Sequence, residues 1–354
     1  MIVGSHRIVK VYPKLKGIKF FCFVSVFCLF FLTSCGKMEE ISRTDFMLDT
    51  FVTQYWQGDN AQECYEEIKS MLQDEENRLS SYKEESEISR INKNSGKEPQ
   101  KISDETFLIL ERSKELSSLT EGRFDITVSP LVRLWNVTGE NPKVPAIEDI
   151  EKTKSLISFE KLSLDKENST AFLEDEGMGI DLGAVLKGCF AEKSLAIAQK
   201  HGVSGYISVG GNMAVTGKKS DGSDFIMGIR NPRGEANDYI GTLSIDGLTM
   251  ATAGDYERRF VYEGKLYHHI LDPFTGFPAD TDIISATVLS KDGLLADFLS
   301  TYIFMEGTEG IDKFRNFENF DFMAVDKDLN VYFSRGFKER FHPNENKKEF
   351  NFLA

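Results

Sequence analysis

The chain has 354 residues, which is enough for one large domain or two smaller ones with a sizeable core. Its 56 acidic and 42 basic residues give a net charge of −14, which excludes a nucleic-acid binder that works by neutralising phosphates. The hydrophobic content of 41% and charged content of 28% are those of a globular protein, and the single long apolar run excludes a multi-span membrane protein.

Residues 1–34 have the pattern of a signal peptide. They carry five Lys or Arg residues and no acidic residue, and a 13-residue run, apolar except for one serine, follows over 20–32. Such a run is too short to span a bilayer as a stable helix. It leads into Leu32-Thr33-Ser34-Cys35, which resembles a bacterial lipobox, so we expect Cys35 to be the lipidated N-terminus of the mature protein. The alternative is an ordinary signal peptide that happens to contain a cysteine.

Two cysteines, Cys64 and Cys189, follow the lipobox. One disulfide is possible between them. Both lie at predicted helix positions, which favours buried free thiols.

The first elements of the mature chain are predicted from residue patterns. Residues 35–45 form the lipidated cysteine and a polar tether, and 46–56 is rich in β-branched and aromatic residues, as in a strand. One apolar face over Ala61–Leu79 predicts an amphipathic helix. Ser103, followed by two acidic residues, predicts the N-cap of a helix that ends near Leu119.

The second half of the chain mixes strands and helices. The Pro-containing, charged segment 137–155 is predicted as a loop and as the best internal boundary. The elements expected after it are a short strand ending at 180–182, a helix over 184–201, strands across 205–290, a helix over 294–306 and a hairpin over 322–333. Strict βαβ alternation is absent from the sequence, so an α+β fold is favoured.

Asp297 and Thr301 are spaced for one face of a helix. A carboxylate one turn from a hydroxyl offers two hard oxygen ligands, which suit Mg²⁺. The alternative is an acid near a helix start and a threonine that bonds back to a carbonyl.

The segment 181–188, Asp-Leu-Gly-Ala-Val-Leu-Lys-Gly, is predicted as a turn from a strand into a helix. Backbone N–H groups at such a helix start can face a phosphate, and Lys187 can neutralise one. Its spacing is not that of a Walker loop. The alternative is a capped helix start with a solvated lysine.

The segment 268–276 combines two histidines with Asp-Pro and Thr-Gly turn signals. His269 lies three residues before Asp272, so it is a candidate base that the carboxylate orients. The alternative is a strand histidine beside an ordinary Asx turn. Two further segments are weak functional signals when taken alone. Segment 121–135 predicts core residues and a turn, and Gly210-Gly211-Asn212 predicts a common turn.

In their order along the chain, these segments resemble the ApbE family, the FAD:protein FMN transferases. The resemblance runs from about Phe46 to Glu306. Eight blocks carry it: Leu48-Asp49-Thr50, 79–92, 122–135, 181–188, 209–211, 252–256, 269–276 and 296–301.

The resemblance implies an α+β fold of antiparallel sheets flanked by helices, similar to the T-fold, with a flavin cleft between two subregions. The transferase domain would cover 46–340, and 341–354 would be a C-terminal tail.

The implied reaction is the Mg²⁺-dependent transfer of the FMN moiety of FAD onto a Thr or Ser hydroxyl of an acceptor flavoprotein, with release of AMP. The resemblance further implies acceptors such as subunits of ion-pumping redox complexes. It also implies a membrane-anchored lipoprotein that faces the periplasm or the cell exterior.

The family's functional positions map onto this chain block by block. The implied metal ligands are the Ala184 carbonyl, Asp297 and Thr301, with Ser300 where some relatives have an aspartate. The implied FAD contacts are Leu48, Tyr82, Arg123, Phe124, Asp125, Asp181, Lys187 and Leu271, and Leu48 departs from the family's methionine. The Tyr82 ring is expected to stack on the isoalloxazine. His269 is expected to be the base and Asp272 to orient it.

Two other functions remain open at this point. Water in place of the acceptor hydroxyl would make the protein a Mg²⁺-dependent FAD pyrophosphatase that yields FMN and AMP. A flavin-binding lipoprotein without turnover is the second alternative.

Overall fold

The computed structural model describes residues 39–235, 237–315 and 319–353, and from Glu39 onward the chain forms one compact unit. The strands in these ranges are β1 Glu40–Met47, β2 Thr50–Gln57, β3 Gln100–Lys101, β4 Leu162–Asp165, β5 Thr170–Leu173, β6 Ser204–Val209, β7 Asn212–Thr216, β8 Ile226–Arg230, β9 Tyr239–Ser244, β10 Thr249–Gly254, β11 Arg259–Tyr262, β12 Lys265–His268, β13 Ile283–Ser290, β14 Phe320–Asp326, β15 Asn330–Phe333, β16 His342–Pro343 and β17 Asn351–Phe352. The helices are α1 Ala61–Leu79, α2 Glu87–Lys93, α3 Asp104–Leu119, α4 Ser129–Trp135, α5 Ile147–Lys154, α6 Leu186–His201, α7 Gly293–Gly310 and α8 Arg335–Arg340, with short 3₁₀ turns at Phe159–Lys161 and Ile311–Phe314.

A nine-stranded sheet is the centre of the fold, in the order β1-β2-β6-β7-β10-β13-β14-β15-β17. Its neighbouring strands are antiparallel except at the β15–β17 edge. The smaller sheets have the orders β16-β9-β8, β3-β5-β4 and β11-β12. The predicted α+β class with antiparallel sheets and flanking helices is therefore confirmed.

The central sheet is covered on both faces at its middle. Helices α6 and α7 pack on one face, against β6, β7, β10 and β13. A second apolar cluster, which includes Phe225, Ile240, Met323 and Phe337, covers the other face. Every residue of β13 is therefore buried, which explains its nearly continuous apolar sequence.

The predicted single strand over 46–56 is wrong, because the chain reverses within it. Leu48 and Asp49 have φ angles of 58° and 55° and form the two-residue turn of the β1–β2 hairpin, in which Met47 pairs with Thr50. Such turns usually contain Asn or Gly, so this sequence gave no turn signal. Strand β1 begins at Glu40, inside the segment predicted as a tether.

Three predicted elements are present in the structure, and the two helices among them have the predicted bounds. Helix α1 covers Ala61–Leu79, and helix α3 covers Asp104–Leu119 after the Ser103 cap, whose hydroxyl accepts the N–H of Thr106 at 3.3 Å. The hairpin predicted over 322–333 is formed by β14 and β15. These segments combine clear periodicity with standard cap or turn residues.

Other predicted elements differ from the structure. The strand expected over 180–182 is absent from the described fold: Asp181 donates its N–H to the Ile126 carbonyl, and the only bridge nearby joins Gly179 to Val128. Helix α6 begins at Leu186, two residues later than expected. The 137–155 loop contains helix α5, and residues of the expected tail form β16 and β17.

Cys64 and Cys189 are buried free thiols, as predicted. Burial raises the pKa of Cys64 to about 12 and that of Cys189 to about 11. Within the described ranges, no helix is both long and apolar enough to cross a bilayer.

Candidate active site

The carboxylate of Asp297 lies in the second turn of helix α7 and is 3% exposed as a residue. Its Oδ2 accepts the N–H of Gly188 at 3.0 Å, and its Oδ1 accepts Nδ2 of Asn212 at 2.7 Å. Nζ of Lys187 lies 3.9 Å from Oδ1. Donors from the start of α6 and the start of β7 therefore fix this buried carboxylate.

Two glycines bring the start of α6 against the start of α7. A Cβ added at Gly188 would overlap the carbonyl oxygen of Gly293, and one added at Gly293 would overlap the carbonyl of Gly188. Only glycine permits this backbone contact. The contact places the Gly188 N–H within reach of Asp297.

Thr301 and Ser300 have different roles in the structure. Ser300 Oγ donates to the carbonyl of Asp297 at 2.8 Å, so the back-bonding considered for Thr301 belongs to Ser300. Ser300 is buried, and its hydroxyl oxygen keeps its lone pairs while it donates this bond, so its role as a metal ligand stays a prediction. In the described part of the chain, no hydrogen bond engages the half-buried Thr301 hydroxyl, which leaves it available as a ligand.

The residues present fit a Mg²⁺ ion. The N–H of Gly188, which would bond the Ala184 carbonyl in a continuous helix, is taken by Asp297 instead, and no other backbone N–H in the described ranges replaces it. Carbonyl, carboxylate and hydroxyl oxygens are the hard donors that Mg²⁺ prefers. The described residues contain no group of three or more His, Cys, Asp or Glu side chains that could hold a metal, so a site here would rest on one carboxylate.

His269 follows β12 and is half-buried. Its backbone N–H donates to the Arg258 carbonyl at 3.1 Å, and its ring nitrogen Nδ1 lies 3.2 Å from the same oxygen. Because a carbonyl only accepts, Nδ1 carries the proton and Nε2 is left as the basic nitrogen. Burial, with the positive charges of Lys187 and Arg258, lowers the pKa of His269 to about 3.

Asp272 does not orient His269, and that expectation is wrong. Its Oδ1 accepts the N–H groups of Phe274 at 2.8 Å and Thr275 at 3.3 Å, while its Oδ2 lies 3.5 Å from Arg123. This is the Asx turn that the sequence allowed as the alternative. Asp272 therefore shapes the loop after His269.

Arg258 joins the His269 loop to the turn of the β1–β2 hairpin. Its guanidinium donates to the Asp49 carbonyl at 2.9 Å and lies 3.7 Å from the Asp49 carboxylate. The same residue holds His269 through its carbonyl. Arg258 therefore links the hairpin turn, through its side chain, to the histidine, through its carbonyl.

Tyr82 is 71% exposed and leaves a ring face open to a ligand. Partial desolvation of its hydroxyl and the carboxylates of Asp181 and Asp49 raise the pKa of Tyr82. Tyr82 therefore lies near the hairpin turn and near Asp181, whose Oδ1 accepts the Gly183 N–H at 2.8 Å.

The side chains of the 123–125 segment serve the fold. Arg123 donates to the Met305 carbonyl and pairs with Glu306 at 3.2 Å, and Phe124 packs edge-on against Phe298. Both oxygens of Asp125 accept hydrogen bonds from neighbouring residues, and burial raises the pKa of Asp125. These contacts engage the three side chains within the fold, and their contact with FAD stays a prediction.

The other residues expected to contact FAD differ in how accessible their side chains are to a ligand. Leu48 is half-buried and donates its N–H to Glu76 at 3.1 Å. Leu271 is buried in an apolar cluster with Leu131 and Trp135. Lys187 donates to the Gly183 carbonyl at 2.6 Å and keeps its charge close to Asp297 and His269.

The structure thus brings His269, Lys187 and Asp297 together, and it adds Arg258 and Asn212, which were not assigned a role from the sequence. The only sequence signal for Asn212 was its place after a Gly-Gly turn. Arg258 carried no signal at all.

A sequence profile of the ApbE family matches residues 47–323. The chain belongs to the ApbE family. The expected family membership is therefore confirmed, and the match covers most of the described fold of this ApbE chain.

Curated relatives of this ApbE chain are similar over most of their length. The FAD:protein FMN transferase of Klebsiella pneumoniae is 33% identical over 261 residues, which are 73% of this chain and 81% of the relative. The FAD:protein FMN transferase of Treponema pallidum is 29% identical over 329 residues, which are 87% and 91% of the two chains. These relatives are transferase enzymes.

Solved structures agree with the family assignment. The ApbE protein of Thermotoga maritima superposes with a TM-score of 0.78 at 29% identity, over 85% of this chain and 99% of the other. The flavin transferase ApbE of Vibrio cholerae superposes with a TM-score of 0.76 at 25% identity, over 86% and 99%. The fold is therefore that of ApbE proteins.

Proposed function

We propose that this ApbE-family chain is a Mg²⁺-dependent FAD:protein FMN transferase. It would move the FMN moiety of FAD onto a Thr or Ser hydroxyl of an acceptor flavoprotein and release AMP. One observation carries the proposal: the ammonium of Lys187 lies 3.9 Å from Asp297 and also acts electrostatically on His269. To these three residues the proposal assigns a metal-binding carboxylate (Asp297), a phosphate-binding cation (Lys187) and a base (His269).

His269 is the base in this proposal. With Nδ1 held by the Arg258 carbonyl, Nε2 takes the proton from the acceptor hydroxyl. The hydroxyl oxygen forms a bond to the FMN phosphorus, the bond from that phosphorus to the oxygen shared with AMP breaks, and AMP leaves with the electron pair. Neutral imidazole is present throughout the physiological pH range because its pKa is low.

The negative charge of the FAD pyrophosphate is matched by cations. Lys187 and Arg258 both contribute positive charge at His269, which would favour binding of an anionic pyrophosphate beside it. The Ala184 carbonyl, Asp297 and Thr301 would hold Mg²⁺, which when bound withdraws charge from the pyrophosphate. As in other phosphoryl transfers, positioning and charge stabilisation would supply most of the catalysis.

The flavin would lie along the exposed ring of Tyr82, with Leu48 and Leu271 as apolar neighbours. Asp181 and the backbone of 123–125 would contribute polar contacts. The open Tyr82 ring favours a site that takes up a planar ligand from solvent.

We further propose that the enzyme works as a lipoprotein on the outer side of a bacterial membrane. Cys35, the expected lipid-bearing residue, lies outside the described residues. Acceptors there would include flavoprotein subunits of ion-pumping redox complexes. An anchor would raise the local concentration of enzyme around such acceptors.

The test uses the chain from residue 36 with FAD and Mg²⁺, with and without a flavin-accepting subunit. AMP and in-gel flavin fluorescence of the acceptor are quantified. Equal amounts of AMP and fluorescent acceptor, formed only when the acceptor is present, are expected. AMP and free FMN without acceptor would replace the proposal with FAD hydrolysis, and intact FAD would leave only binding.

A pair of variants tests the metal assignment within the same assay. Asp297→Ala should abolish turnover, because it removes the one buried carboxylate of the site. Asp149→Ala, an exposed aspartate in the first turn of α5, is the matched control and should keep wild-type activity. Full Mg²⁺-dependent activity in Asp297→Ala would remove this residue from the site.

A further inference from the structure

We propose that Asn212 is a positioning residue that sets the orientation of the Asp297 carboxylate for Mg²⁺. The inference rests on the proposed function, since it concerns the metal of that reaction. Asn212 is 1% exposed, lies at the first position of β7, and reaches Asp297 across 85 residues of sequence.

The contacts of Asn212 fix which way its amide points. Oδ1 accepts the backbone N–H of Thr252 at 3.2 Å, so this end of the amide must be the oxygen. The NH₂ group therefore faces Asp297, where it donates to Oδ1 at 2.7 Å. The β10 backbone thus determines the donor that the carboxylate receives.

The carboxylate is held by one donor on each oxygen. Gly188 holds Oδ2, and Asn212 holds Oδ1, so rotation of the carboxylate about its Cβ–Cγ bond would break both hydrogen bonds. Each oxygen keeps a second lone pair, and one of these can bind a cation. Outer-sphere donors of this kind orient metal ligands.

The neutral amide also suits a cation site. A Lys or Arg at this position would form a salt bridge and compete with Mg²⁺ for the carboxylate. Lys187, the nearest positive charge, is instead held on the Gly183 carbonyl and stays 3.9 Å from Asp297. Asn212 thus supplies orientation without adding charge.

Asn231 provides a matched control elsewhere in the fold. It is buried, its Nδ2 donates to the Asp238 carboxylate at 2.8 Å, and its Oδ1 accepts the N–H of Arg233 at 3.0 Å. It therefore repeats the hydrogen-bond pattern of Asn212. Asn231→Ala should lower stability by a similar mechanism without affecting the metal.

The experiment measures Mn²⁺ binding to the full protein by electron paramagnetic resonance, with Mn²⁺ as the probe and without FAD or acceptor. We expect Asn212→Ala to weaken Mn²⁺ binding about tenfold or more, in the range that outer-sphere donors contribute. Asn231→Ala should bind Mn²⁺ as wild type does. Thermal unfolding of both variants shows how much each loses in stability.

The outcomes separate this inference from the proposed reaction. Wild-type Mn²⁺ affinity in Asn212→Ala, an equal loss in Asn231→Ala, or a wild type that does not bind Mn²⁺ would each overturn the role of Asn212. Failure of FMN transfer in the assay of the proposed function would leave the role of Asn212 standing, because Mn²⁺ binding is measured without FAD or acceptor. If Asn212→Ala does not fold, Asn212→Ser, which keeps a small polar group beside Thr252, should show the same loss of Mn²⁺ affinity.

Discussion

The carbonyl oxygen of Arg258 lies 3.2 Å from Nδ1 of His269, in the place where the sequence led us to expect the carboxylate of Asp272. A neutral acceptor from the main chain fixes the tautomer without adding a negative charge beside the imidazole. Burial and the positive charges of Lys187 and Arg258 lower the pKa of the histidine, and the bond to the Arg258 carbonyl offsets only part of this effect.

Replacing Asp272 tests this arrangement directly. Asp272→Asn should keep kcat within about threefold, because the new amide oxygen can still accept the N–H groups of Phe274 and Thr275. Loss of the charge opposite Arg123 should lower the free energy of unfolding by about 1 kcal/mol. AMP release and urea unfolding measure the two effects.

His269→Ala is the comparison for that variant and should reduce kcat by about 10²- to 10⁴-fold, as expected for loss of a general base. An Asp272→Asn enzyme as impaired as His269→Ala would show that the carboxylate takes part in the proton transfer after all.

The low pKa of His269 predicts an unusual pH dependence. Because its pKa falls from 6.5 to about 3 on folding, the imidazole stays neutral as the pH drops below 6.5. The kcat/KM for FAD, which reports the free enzyme, should therefore show no His269 limb between pH 5 and 8. Rate measurements across this interval check the prediction, and an acid limb near the ordinary histidine pKa would contradict it.

The same shift affects stability, with a definite sign. The unfolded chain takes up a proton at His269 as the pH falls through 6.5, while the folded chain does so only near 3. The contribution of His269 to stability is therefore full above pH 6.5 and is lost on acidification.

Arg258→Gln removes one positive charge beside the ring and should raise the pKa of His269, which a histidine proton titration by NMR would detect.

Gly188→Ala should damage both the fold and the metal site. Its new Cβ would overlap the Gly293 carbonyl and press on Asp297, so α6 and α7 must separate. We expect a loss of about 1–3 kcal/mol or more in the free energy of unfolding. Gly228→Ala, whose Cβ would make only ordinary contacts with Tyr239, is the control for urea denaturation. Equal stability of the two variants would show that the helices tolerate separation.

Tyr82→Ala should weaken FAD binding by about tenfold, since the ring supplies a stacking surface. Because the ring is 71% exposed, the melting temperature should stay unchanged. Tyr82→Phe keeps the ring and should bind FAD as wild type does. Flavin fluorescence titration compares the three proteins, and an Ala variant with wild-type affinity would place the flavin elsewhere.

Much of the fold could be predicted from local sequence. The bounds of α1 and α3 follow from apolar periodicity, and Ser103 gives the cap of α3. The β1–β2 turn could not be predicted, because Leu48 and Asp49 adopt left-handed angles that hairpin sequences usually mark with Asn or Gly. Their conformation depends on contacts such as the one from Arg258 to Asp49.

Residue spacing alone predicted only those parts of the candidate site that lie close in sequence, and the resemblance to the ApbE family supplied residues that lie far apart. Asp297 and Thr301 are separated by one helical turn, so their spacing alone placed them on one face. Asn212 and Arg258 reach their partners across the folded sheet, and no spacing rule connects Asn212 with Asp297. Asp272 was misassigned because sequence cannot show which backbone groups a side chain has already bonded.

Strand β1 has a further consequence for where the enzyme can act. It runs from Glu40 to Met47 and ends at the turn that Arg258 ties to His269, a distance of about 25 Å at strand spacing. Four residues separate Cys35 from Glu40 and extend to about 15 Å at most. If Cys35 carries lipid, as we propose, the contour length of the intervening chain limits the β1–β2 turn to about 40 Å from the lipidated residue. Hydroxyls on tall extracellular domains would be out of range, and those on short membrane-proximal loops would be the accessible substrates.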